Sequence, residues 1–106
     1  MDYERTYYGG ILLDEEKLVK NNIYRNIEVE YYKISREQRT LFQGKRRIFG
    51  LEVVMREYAN NDMNVEEKRI LSLTKNEKII EKILEKLKEH AVTPTTLNDV
   101  IIDMFY

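Results

Sequence analysis

Hydrophobic and polar residues alternate along the middle of the chain. Ile23, Ile27, Val29 and Tyr31 fall on one face at period two, and Asn26, Glu28 and Glu30 fall on the other, which predicts a strand over 23–34. The alternation breaks at Tyr31-Tyr32, where the strand end is buried on both faces or bulges. Phe49, Leu51, Val53 and Met55 alternate with Gly50, Glu52, Val54 and Arg56, the clearest strand signal, over 46–58. Asn60-Asn61-Asp62 reads as a turn, because Asn and Asp side chains bond nearby backbone. Residues 65–73 then return as an antiparallel strand, with Leu71 and Leu73 inward and Ile70 outward.

The period then changes. Ile79, Ile80, Ile83, Leu84 and Leu87 make an apolar stripe at helical spacing, with Glu and Lys over the rest of the surface. Thr74 stands three residues before Glu77, the spacing of a capping box. Like charges recur at i,i+4 along this helix, so packing rather than side-chain pairing must hold it. Thr93-Pro94 announces a second helix, with Thr as cap and Pro at the first helical position. Its stripe is Leu97, Val100, Ile101, Met104 and Phe105.

The remaining segments read less clearly. Tyr3, Tyr7 and Tyr8 precede Gly9-Gly10, a turn signal, and then Ile11-Leu12-Leu13, so a short hairpin is expected there. Asp14 to Lys20 reads as a helical turn ending at Asn21-Asn22. Residues 35–45 read as a connection with a short strand near Leu41-Phe42. The expectation is a single α+β domain, a small antiparallel sheet of three or more strands packed against a C-terminal helical hairpin. Residues 1–22 are an N-terminal extension or hairpin, 23–73 the β-rich part and 74–106 the two helices.

Tyr31-Tyr32-Lys33-Ile34, Phe49-Gly50-Leu51-Glu52-Val53, the striped helix and Val92-Thr93-Pro94-Thr95-Thr96-Leu97-Asn98-Asp99-Val100-Ile101 follow in a familiar order. Over roughly residues 23–106 the chain resembles an uncharacterised family of small clostridial and related Firmicute proteins, a domain of unknown function. The resemblance implies an intracellular α+β domain from a spore-forming bacterium. It implies no activity and supplies no catalytic residues.

Composition narrows the function classes. The chain has 106 residues, the size of one domain, and its 18 Lys and Arg nearly cancel its 19 Asp and Glu. It has no Cys, which removes disulfides, thiolate metal sites and a cysteine nucleophile. Its single histidine, His90, sits in the last turn of the long helix, where the macrodipole favours a cation, so a capping role is expected. No glycine cluster matches a phosphate-cradling loop. The N-terminus lacks the pattern of a signal peptide, and no apolar run approaches the ~20 residues of a membrane span. The expectation is a cytoplasmic protein without a membrane role.

The chemistry-bearing patterns are correspondingly weak. Glu15-Glu16, Glu66-Glu67 and Asp99/Asp103 are carboxylate pairs without a third ligand. Asn60, Asp62, Asn64 and Glu66 alternate like a calcium loop, but the central Gly and the distant Glu are missing. Ser35 and Ser72 have no glycine elbow. No catalytic residue, metal or cofactor is expected, and the chain reads as a non-enzyme.

Two features point to binding instead. Eight tyrosines in 106 residues is high, and Tyr suits interfaces because its ring is apolar while its hydroxyl stays wet. Tyr3, Tyr7, Tyr8, Phe105 and Tyr106 lie near the chain ends, and Asp99 and Asp103 give the last helix an acidic face. These residues are the candidate surface for another protein or a second copy of the chain, and a small binding or regulatory module is the leading expectation. The alternative is a nucleic-acid accessory factor, such as a regulator of a recombinase, using Arg36, Arg39, Lys45, Arg46 and Arg47 against only Glu37. In that reading Phe42 or Tyr32 stacks on a base. The blander reading has the same cations balance Glu28, Glu30 and Glu52. A DNA-reading role for the last helix is disfavoured, since it carries no Lys or Arg.

Overall fold

A computed structural model describes residues 2–14, 25–42, 44–59 and 62–105. The order is β1 (Glu4–Asp14), β2 (Arg25–Thr40), β3 (Gly44–Ala59), β4 (Asp62–Thr74), α1 (Glu77–Glu89) and α2 (Leu97–Phe105). The strands form one antiparallel sheet in the order β1-β2-β3-β4, so each pairs with its neighbours in sequence. This is the expected α+β class, with four strands among the described residues.

The alternation read from β2 and β3 is the one the sheet uses. Ile27, Val29, Tyr31, Phe49, Leu51 and Val53 are buried on one face, against Ile80, Ile83, Leu84 and Leu87 of α1 and Leu97 and Ile101 of α2. Burying each such aliphatic side chain is worth about 1.5–3 kcal/mol. Lys33 extends this face past the core and reaches the first two turns of α1, 2.8 Å from Glu77 and 3.5 Å from Glu81. The hydrogen bond to Glu77 raises the Lys33 pKa.

Several local expectations are corrected. Gly9-Gly10 is not a turn: β1 runs straight through it, with a bulge between Tyr7 and Gly9, and Gly9 lies under the Lys88 side chain of α1. The segment read as a connection at 35–45 is strand on both sides, and Leu41-Phe42 is its turn rather than a strand. In β4 it is Ile70, with Leu73, that packs on the core, because the register shifts between the Phe49 and Leu51 positions. Three β4 residues there face the single Gly50. The α1 cap is Asn76, whose side chain accepts from the Lys78 and Ile79 amides, while Thr74 accepts from the Asn76 amide. Pro94 lies in a turn before α2 rather than at its first position, and the helix begins at Leu97. The helical turn read at 14–20 and the Asn60-Asn61 part of the turn lie outside the described residues.

α1 ends at His90, which caps through its backbone amide to Lys86. Ala91 follows at φ 52°, and the amides of Ala91 and Val92 reach back to the carbonyls of Lys88 and Leu87. That double bond pattern turns the chain toward α2. Tyr31, fully buried, locks this corner by donating its hydroxyl to the Val92 carbonyl at 2.7 Å. Replacing Tyr31 with Phe should cost about 1–2 kcal/mol, since a buried carbonyl loses its donor. Burial also pushes the Tyr31 pKa up to about 12. A folded pKa above the free value near 10 means that the neutral phenol's contribution is intact below pH 10 and lost toward pH 12. Urea denaturation between pH 8 and 11.5 should therefore show the gap between wild type and Y31F closing at high pH.

Candidate functional site

Among the described residues the helices cover one sheet face only. The opposite face is built from the residues that alternate with the core. Strand register arranges them in rows: Tyr7, Tyr32, Glu52 and Arg69; then Gly10, Glu30, Val54 and Glu67; then Leu12, Glu28, Arg56 and Val65; then Asn26, Tyr58 and Met63.

Glu52 organises the first row. It is 1% exposed, paired with Arg5 and Arg69, which in turn lie against tyrosine rings. Its two carboxylate oxygens accept from Nε of Arg5 at 2.8 Å and Nε of Arg69 at 2.5 Å. The Arg5 guanidinium sits 3.6 Å from the Tyr32 ring centroid, and that of Arg69 sits 5.1 Å from the Tyr3 ring. Tyr7 meets Tyr32 edge-on at 5.6 Å. A buried carboxylate is costly alone, but two planar cations that also stack on rings satisfy it. The hydrogen bond to Glu52 in turn raises the Arg69 pKa. In the next rows Glu30 accepts from Arg56 and from the Tyr32 hydroxyl. A shallow groove runs between Tyr7 and Leu12, with Gly10 in its floor and Glu28 and Glu30 along its side. Leu12 is 63% exposed and Met63 55%, with Tyr7, Tyr58 and Val65 also exposed.

The second notable surface lies at the end of the molecule. β1 pairs with β2 only as far as Ser35, and β4 pairs with β3 only as far as Phe49. Beyond those points β2 and β3 pair only with each other, from Arg36↔Ile48 to Thr40↔Gly44, and the part from Glu37↔Arg47 on forms a two-stranded ribbon. At ~3.4 Å per residue the ribbon and its turn project roughly 15 Å past the sheet. Leu41 and Phe42 at its tip are each 96% exposed. Gly44 closes the turn at φ +71°, in the left-handed region that glycine enters without strain.

The structure brings some of the anticipated residues together and separates others. Tyr3 and Tyr7 join the uncovered face through Arg69 and Tyr32. Tyr8 occupies the β1 bulge. Asp99, Asp103 and Phe105 are exposed on α2, in the helical layer, so they do not share a surface with Tyr3 and Tyr7. Tyr106, Glu15 and Glu16 lie outside the described residues. Asp62, Asn64 and Glu66 lie along an extended strand, which rules out a calcium loop there.

The basic segment is not what pairs with Glu30 and Glu52. Glu52 and Glu30 take Arg5, Arg69 and Arg56 instead, while Arg36 and Arg47 donate to Ser72 and Ser35. Lys45 stands 3.7 Å from Glu37, an exposed pair worth little. Sequence reasoning missed Arg5 and Arg69, because each lies far along the chain from Glu52. Only the position of Glu52 within the otherwise apolar run from Ile48 to Met55 hinted at a buried role.

Among the described residues no helix is long and apolar enough to cross a membrane. Fold and surfaces together define a small α+β domain with a half-covered antiparallel sheet. The chain belongs to a family of unknown function, DUF6514, whose model matches residues 12–106. The match includes the central strands, both helices and the ribbon. No curated protein matches the chain, and no solved structure does.

Proposed function

We propose that this chain is a non-enzymatic binding module that acts on another protein through the uncovered face of its sheet. One observation carries the reading: exposed Tyr7, Leu12, Tyr58, Met63 and Val65 share a face that the helices leave open. Tyr and Arg, the residues that anchor protein interfaces, are concentrated on that same face. The groove beside Tyr7, with Glu28 along it, fits a basic side chain of the partner, and Leu12 at its edge fits an apolar neighbour. This glutamate would repel phosphates, which favours protein over nucleic acid here. The sequence resemblance supports a cytoplasmic setting in a Firmicute.

The test is capture of a partner from nuclease-treated host lysate on immobilised protein, compared across variants. Glu28→Lys and Leu12→Glu should each reduce the captured partner at least about tenfold, as loss of a central anchor does. Asp99→Lys with Asp103→Lys, on the helical layer, should capture as wild type does. Equal capture by all variants refutes the reading. A partner that proves to be a second copy of this chain refutes it as well, in favour of self-association.

A further inference from the structure

We propose that the ribbon Glu37–Arg47 is a contact for double-stranded nucleic acid, with Leu41 and Phe42 as an apolar wedge and the cations behind them gripping phosphates. Four cations stand on the ribbon against one acid, in a chain whose net charge is −1. They occupy both of its faces. Arg39, Lys45 and Arg47 point to the helix side, where Arg47 meets Ser35, and Arg46 stands opposite with Gln38, its register partner.

Shape and chemistry agree. A two-stranded ribbon fits a duplex groove, and cations on both of its faces can reach both phosphate walls. Paired Arg39 and Lys45 sit directly behind the turn, and Gln38 with Arg46 one step further back. Their depth is comparable with that of a groove, about 8 Å. Apolar side chains presented at such a tip can part a base step and bend the duplex. Gln38, the register partner of Arg46, supplies an amide for base edges. Among the described residues no strand pairs with the ribbon beyond its own two, and Leu41 and Phe42 lie outside the core.

This inference is independent of the protein-binding reading, because the two surfaces share no residue. It is tested with the full chain and a fluorescent 20-base-pair duplex of mixed sequence, followed by anisotropy between 50 and 200 mM KCl. Four phosphate contacts, one for each ribbon cation, predict about a 150-fold loss of affinity over that range. Arg39→Glu, Arg46→Glu and Arg47→Glu combined should abolish binding. Leu41→Ser with Phe42→Ser should weaken binding about tenfold yet keep the salt slope, since only the wedge is lost. Lys78→Glu with Lys82→Glu, on α1, should bind as wild type does. Circular dichroism and thermal melting should be unchanged in every variant. Absence of duplex binding at 50 mM KCl overturns the proposal, and so does binding that survives the triple charge reversal. Tighter binding to the single strand overturns the groove geometry. Sedimentation with phosphatidylserine vesicles but not with duplex would assign the tip to a membrane surface instead.

Discussion

Alanine at position 50 should destabilise the protein by about 3 kcal/mol or more, a large share of a small domain's stability. Gly50 is buried where β4 shifts register, and a methyl group there would collide with the Ile70 carbonyl oxygen and come within 2.7 Å of the Leu71 carbonyl. Those atoms are backbone, so no rotamer change relieves the contact. Either the bulge opens or the β3–β4 pairing slides. A slide is costly, because Ile70 and Leu73 would lose their places on the core. Gly44→Ala is the useful contrast: the space around it is open, and only its positive φ resists, at about 1 kcal/mol. Urea denaturation of both variants separates the two causes. A G50A cost no larger than that of G44A would show that the bulge is soft.

The second large effect is expected at Glu52. Removing its carboxylate, as in Glu52→Ala, leaves the Arg5 and Arg69 guanidiniums facing each other over the sheet with nothing between them. Breaking a fully buried pair costs about 3–5 kcal/mol. Both arginine side chains are 39% exposed and can swing into water, which brings the expectation down to about 2 kcal/mol. The loss should spread along the row. Arg5 would leave the Tyr32 ring, and Tyr3, held through Arg69, would lose its place. A double-mutant cycle between Glu52→Ala and Arg5→Ala should return a coupling above about 0.5 kcal/mol. Additive effects would show that the stack over Tyr32, rather than the ion pair, holds Arg5.

What the sequence disclosed, and what it did not, follows from the range of the forces involved. β2, β3 and α1 were legible because the core-facing residues of each recur at a fixed period, although β3 is buried on both faces from Ile48 to Val54. β1 was misread because Gly9-Gly10 is a turn signal locally, whereas here Gly9 makes room for Lys88, some eighty residues on. The ribbon was misread as a connection because its strands are polar on both faces, so no alternation marks them. The Asn76 cap displaced the expected Thr74 cap by two residues, a boundary shift that the Thr-Lys-Asn run permits because both side chains can accept amide protons. The basic cluster was visible as a count of charges. That Arg5, Arg69 and Arg56 would take Glu52 and Glu30 was not, since it depends on strand register. The tyrosines suggested an interface, yet the helical and strand layers divide the proposed residues between two surfaces.

The sequential order of the sheet has a consequence for the chain during its synthesis. Each strand finds its partner in the segment made just before it, so the four-stranded meander can assemble while the ribosome is still translating. The residues that close over the core face, 77–105, emerge after all four strands. Until they arrive, Val29, Tyr31, Leu51 and Val53 stand open to water on a ready-made sheet, which is the interval in which a nascent chain is most prone to aggregate. A premature stop after β4 would make that interval permanent, leaving a sheet without its lid.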